Sequence, residues 1–174
     1  MPFFVSASSI ILPPLPKWPG DKQPLPVTYD AIKDTIRRHT AVPCNFGNAS
    51  DAEFTLIPSA LLAAAVAWTI ASLKAQGVGY TANAFDCENF QRELCQTLAK
   101  IASRAGIKAS PATGGLSVIQ KFAWGGVPAG GNHQVACAMT ELGLVIVESQ
   151  QPILASTPIE AYPNRATIYD VGGF

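Results

Sequence analysis

The chain has 174 residues, of which 48% are hydrophobic and 14% charged, enough apolar material for a domain with a sizeable core that folds without outside help. Twelve basic and twelve acidic residues leave zero net charge, and no Lys/Arg cluster exceeds Arg37-Arg38, which argues against nucleic-acid binding through a basic face. The four cysteines, Cys44, Cys87, Cys95 and Cys137, form no CxxC or Cys/His spacing that suggests zinc, and a domain of this size does not need disulfides, so all four read as reduced.

Residues 1–26 hold seven of the fourteen prolines, a density that excludes helix and central strand. No basic residue precedes the apolar stretch and no small-residue cleavage site follows it, so this is not read as a signal peptide. The expected organisation is a Pro-rich arm over 1–26 and a single domain over 27–174. The arm either lies along its own domain or grips a neighbouring subunit, because Phe3, Phe4, Ile10, Ile11, Leu15 and Trp18 are costly to leave in water.

Tyr29 to Thr40 reads as a short amphipathic helix with Thr28 or Asp30 near its start, Ile32 and Ile36 inward, and Arg37, Arg38 and His39 complementing the dipole at its end. Pro43 to Asp51 reads as a polar loop. Pro58 to Gln76 is the most apolar segment. Its uncharged run from Leu56 to Leu73 is 18 residues, at the lower limit for a membrane span, but proline interrupts its start and alanine dominates it. A buried helix packed behind the next one fits better, ended by Gly77-Val78-Gly79, and no membrane association is expected.

Ala84-Phe85-Asp86-Cys87-Glu88-Asn89-Phe90 then hands a polar turn over to a helix running to about Arg104. Asp86 is the N-cap candidate, and Phe90, Leu94, Leu98, Ile101 and Ala105 form the inward stripe, which Cys87 extends by one step. Partial positive charge at a helix N-terminus favours thiolate over thiol, so a nucleophilic cysteine is expected here. Pro111 to Gly115 reads as a loop and Leu116 to Trp124 as an imperfectly alternating strand. Gly125 to Gly131, with four glycines, reads as a flap beside His133; it lacks the Lys-Ser/Thr and following helix of a phosphate loop. Pro158 to Pro163 is a turn and Ala166 to Val171 a final strand.

Between these lies a hairpin. His133, Val135, Cys137 and Met139 share one face of its first strand, and Leu144, Ile146, Glu148 and Gln150 share one face of its second. With Thr140 to Gly143 as the loop, Met139 pairs with Leu144, His133 falls opposite Gln150, and Glu148 lies one diagonal step from His133. Diagonal neighbours are roughly 7 to 8 Å apart, which long side chains span. Taken singly, an inward cysteine is commonly inert core and a strand-start histidine a satisfied polar residue. Together they make a Cys87, His133, Glu148 constellation, in which His133 takes the thiol proton and Glu148 orients the imidazole.

The order of a helix-start cysteine in Asp-Cys-Glu-Asn-Phe, a strand-start histidine in Gly-Asn-His-Gln-Val and an acid in Val-Ile-Val-Glu-Ser-Gln resembles the papain-like and transglutaminase-like cysteine peptidase superfamily. Within it, residues 80–152 are most similar to the protease-like C-terminal domain of certain mushroom agglutinins and to related small phage and bacterial proteins. Ser149 stands where that pattern has proline. The resemblance implies an α+β fold, helices packed on a small antiparallel sheet, and a thiol hydrolase that needs no cofactor and acts on a peptide or protein. Papain-like enzymes place a glutamine before the cysteine. Here Tyr80 to Asp86 offers only Asn83 as a side-chain oxyanion donor, Gln150 adjoins the site, and the Cys87 amide could supply a further donor. Asp86, Glu88 and Gln150 offer hard oxygen ligands that could hold calcium beside the site, as resemblance to the agglutinin domains would allow.

Two functions follow as expectations: a cysteine hydrolase using a Cys87-His133-Glu148 triad, or a structural or assembly protein, such as a virion component, that keeps the fold with a weak or unused site. Either places the chain in the cytoplasm or in a viral particle.

Overall fold

The computed structural model describes residues 12–49, 51–78, 87–148 and 155–174. Within them the architecture is α+β, with helices packed on a sheet. Strands β1 (Pro26–Thr28), β3 (Glu53–Thr55) and β4 (Ser110–Pro111) form a small sheet in the order β1-β3-β4. The main sheet has six strands, β2 (Asn45–Phe46), β5 (Thr113–Ile119), β6 (Asn132–Thr140), β7 (Gly143–Glu148), β8 (Ala155–Pro158) and β9 (Ile168–Gly172), in the order β2-β9-β5-β6-β7-β8. All its neighbours are antiparallel except β2 and β9, so the expected antiparallel sheet has one parallel edge. Two residues carry no periodic signal, which is why β2 reads as loop in the sequence. It is held laterally instead, by Asn45 Nδ2 donating to Asp170 at 2.8 Å.

Helix α1 (Tyr29–Arg37) starts where Thr28 Oγ1 accepts from the Ala31 amide, and it ends three residues before Thr40. Helix α2 (Ser59–Ala75) follows Pro58, which has no side-chain cap to offer. Its N-terminus is capped from far along the chain: Glu141, in the turn between β6 and β7, accepts from the Ser59 amide at 2.9 Å and from Ser59 Oγ at 3.0 Å. That places a carboxylate on the positive end of the helix dipole. Gly77, at φ 71°, ends the helix in the left-handed conformation that glycine adopts without strain. No helix among the described residues is long and apolar enough to cross a membrane.

Helix α3 (Cys87–Arg104) lies against α2, with Thr69 Oγ1 donating to Thr97 Oγ1 at 3.0 Å inside the interface. Leu61, Leu62, Val66, Leu94, Leu98 and Ile101 bury themselves against Ala136, Ala138 and Val147 of the sheet. The strands alternate, so Leu116, Val118, Val135, Cys137, Leu144 and Ile146 fall on the opposite face, where Ile32 and Ile36 of α1 join Phe54, Ile159, Tyr162 and Phe174. Residues of the arm run along the helix layer: Trp68 Nε1 donates to the Pro13 carbonyl at 2.8 Å, and Leu15 and Trp18 pack into the helix-side cluster.

The expected loop at Pro111 to Gly115 is instead strand. Gly114 and Gly115 lie inside the sheet, and a β-carbon on Gly114 would come within 2.5 Å of the Phe174 ring. Glycine there reflects close packing, not a turn. Strand β5 stops at Ile119, before the expected Trp124, and Phe122 is exposed. The final strand begins two residues later than expected because a 3₁₀ turn occupies Arg165–Thr167.

Candidate active site

The hairpin of β6 and β7 sets the site. Its register pairs Met139 with Leu144 and Thr140 with Gly143, so the loop is the two residues Glu141 and Leu142, and Gly143 takes φ 113°. At the open end of the hairpin, His133 Nε2 and Glu148 Oε2 are 2.6 Å apart, and both side chains are buried. Cys87 is the first residue of α3 and half-buried, close enough to the His133 ring for its thiol to favour the charged imidazole. Since Nε2 is engaged by the carboxylate, Nδ1 is the ring atom left to take a proton from the thiol.

The electrostatics favour a charged imidazole. Burial works against it, but the hydrogen bonds with Cys87 and Glu148, together with their charges, prevail and raise the His133 pKa from 6.5 to about 9. The other thiols are held protonated. Burial, with Asp170 nearby, pushes Cys44 up to about 11, and burial raises Cys95 and, well above its ordinary value, Cys137. Cys95 also accepts from Gln91 Nε2 at 3.0 Å. All four cysteines are free thiols.

Three further polar residues escaped the sequence reading: Gln120, Tyr162 and Asn164, each almost wholly buried. Asn164 ties down the chain after β5, with Nδ2 donating to Gln120 Oε1 at 3.1 Å and to the Phe122 carbonyl at 2.9 Å. Tyr162 lies edge-on to Trp124, ring centroids 4.9 Å apart. Gln120 lies just past the end of β5, and Tyr162 and Asn164 flank short 3₁₀ turns, where the spacing of apolar residues gives no sign of a buried polar group. The glycine-rich stretch is a tight turn, Trp124 and Val127 exchanging backbone hydrogen bonds of 3.0 and 2.9 Å around Gly125 and Gly126, both at positive φ. A cleft of about 700 Å³ beside α1, lined by Tyr29, Lys33 and Phe46, contains none of the three site residues.

Asn83 and Gln150, expected beside the site, and Asp86, the expected N-cap, lie outside the described residues. Of the three side chains considered for calcium only Glu88 is described, and among the described residues no group of three His, Cys, Asp or Glu could hold a metal ion. A thiol, an imidazole and a carboxylate in series can move a proton from sulfur to nitrogen and keep the resulting cation stable.

Fold and site together define an α+β protein with a helix-start thiol facing a strand-borne His-Glu pair. No protein-family model matches the chain, and no curated protein is similar to it in sequence. Among solved structures it is similar to the PSL1a-E64 complex, with a TM-score of 0.61 and 15% identity over 84% of this chain and 51% of that one. The chain therefore spans about half the length of that protein, and the likeness is one of fold.

Proposed function

We propose that this protein is a papain-like cysteine hydrolase that cleaves a peptide or related amide bond through Cys87, His133 and Glu148. The observation that carries the reading is the buried 2.6 Å pair of His133 Nε2 and Glu148 Oε2, with Cys87 beside the same ring and the imidazole favoured in its charged form. Further support comes from the fold it shares with a protein in complex with E64, an inhibitor of cysteine proteases.

His133 takes the Cys87 proton on Nδ1, and the thiolate attacks the carbonyl carbon. The tetrahedral oxyanion collapses as the imidazolium protonates the departing amine, leaving a thioester on Cys87. Water, deprotonated by His133, then attacks the thioester and releases the acid and the thiol. An amine in place of water would give acyl transfer through the same thioester. Glu148 holds the ring in the productive orientation and stabilises its cation throughout. The start of α3 places backbone amides beside Cys87, where an oxyanion develops.

The pH dependence of alkylation, mapped peptide by peptide, tests the reading. Cys87 is expected to react fastest of the four thiols at pH 5 to 6, far below the ordinary thiol pKa of about 8.5, and to slow at least tenfold in His133→Ala. Reactivity at Cys87 no greater than at Cys95 or Cys137 would sink it.

A further inference from the structure

Helix α2 has no polar face. Lys74 is its sole charged residue, and Ala60, Ala64, Ala67 and Ala71, at helical spacing, form an outward stripe that is exposed along its length. A helix that is apolar all round is ordinarily covered on every side. Beside the stripe, a groove of about 230 Å³ opens between α2 and the outer strands of the main sheet. Leu62, Ala63 and Val66 line it from the helix, Val145 and Val147 from β7, and β8 closes it. An apolar cavity of roughly 150 Å³ holds a benzene ring, so this groove has room for a phenyl side chain. It shares no residue with the Cys87, His133 and Glu148 site.

The chain itself leads to this surface. Leu15 and Trp18 lie beside Ile101 and Arg104 near the end of α3, and further towards the N-terminus the Pro13 carbonyl accepts from Trp68 Nε1 at 2.8 Å. The arm therefore crosses α3 first and reaches α2 at Trp68. At about 100° per residue, Trp68 borders one side of the alanine stripe, and Ala63, in the wall of the groove, borders the other. The described residues begin at Leu12; residues 1–11 carry no charged side chain and include Phe3, Phe4, Val5, Ile10 and Ile11. An extended chain gains about 3.3 Å per residue, which gives Phe4 a reach of roughly 26 Å from Leu12 against a helix diameter of about 10 to 12 Å.

We propose that residues 1–11 of this chain cover the alanine stripe of their own α2 and seat the Phe3-Phe4 pair in the groove between α2 and β8. No charged side chain lines the groove, so the contact buries apolar area without stripping water from a charge. The tether decides between this occupant and a second copy. Residue 13 is already fixed at the border of the stripe, and a short connection holds the segment at an effective concentration on the order of mM.

The test is limited proteolysis of the full chain by chymotrypsin, read by mass spectrometry as cleavage after Phe3 and Phe4, in the wild type and in Ala63→Arg. Ala63 is exposed, so the arginine spares the core and puts bulk and charge at the groove. Cleavage is expected to be about tenfold or more slower in the wild type than in the variant, and its rate in the wild type should not change on dilution. Equal rates in the two proteins overturn the proposal, because the segment is then either open or covered elsewhere. Protection that fades on dilution places the segment on a second copy and overturns it as well. Should Ala63→Arg fail to fold, Ala67→Arg, on the exposed stripe, is read against the same criteria. None of these outcomes depends on Cys87, so they stand apart from the hydrolase reading.

Discussion

On the helix side of the main sheet, Ala136, Ala138 and Val147 meet Leu94, Leu98 and Val66, and the polar contact within the helix pair is one threonine hydroxyl on another. On the other side, the apolar cluster around Val118, Val135 and Ile146 shares its face of the sheet with buried His133 and Glu148. Burial on the first side is non-directional and roughly proportional to area, so it tolerates repacking but not loss of volume. On the second side it depends on partners, because a buried imidazolium or carboxylate is strongly unfavourable once its counterpart is gone. The comparison separates two jobs: the helix side supplies stability and delivers Cys87, and the polar side fixes the direction of a proton transfer.

Substitutions on the two sides should therefore fail differently. The largest effect belongs to Glu148→Gln, which keeps the shape of the side chain and removes its charge. Cys87 alkylation at pH 7 is expected to fall by about tenfold to a hundredfold as the His133 pKa drops from about 9 towards 6.5. The same change should alter stability against pH. A histidine whose pKa is raised on folding stabilises the protein fully below its ordinary 6.5, and this is lost as pH rises through about 9. Urea unfolding of the wild type should show that decline between the two values, and in Glu148→Gln the slope should be much reduced. A slope that persists would mean that another group is titrating.

Leu98→Ala comes next. The residue is 1% exposed at the centre of the helix-side cluster, so truncation should cost about 2 to 5 kcal/mol in urea unfolding. The His133 midpoint should stay in place in the folded fraction. A shifted midpoint would show that the two sides are coupled more tightly than their separate clusters imply. The smallest effect is expected for Glu141→Ala, which removes the cap on α2 supplied by the hairpin turn and should cost about 1 kcal/mol. No measurable loss would mean that solvent replaces Glu141 at Ser59.

The sequence alone determined the elements whose signals are periodic or local. Helix α3 (Cys87–Arg104) follows from apolar residues that recur at helical spacing up to the glycine at 106. The β6–β7 register follows from alternation on both strands around a short loop closed by Gly143, and that register brings Glu148 diagonally to His133. The tertiary structure alone decided whatever rests on contacts between distant segments. It made Gly114 a packing site beneath Phe174, set Asn45 and Phe46 parallel to β9, and sent Glu141 to cap a helix 82 residues away in the chain. It also tied buried Asn164 to Gln120 and to the Phe122 carbonyl, 44 and 42 residues earlier in the chain. Local sequence encodes backbone preference and the spacing of apolar side chains, whereas the partner of a buried polar atom is chosen only when the chain closes around it.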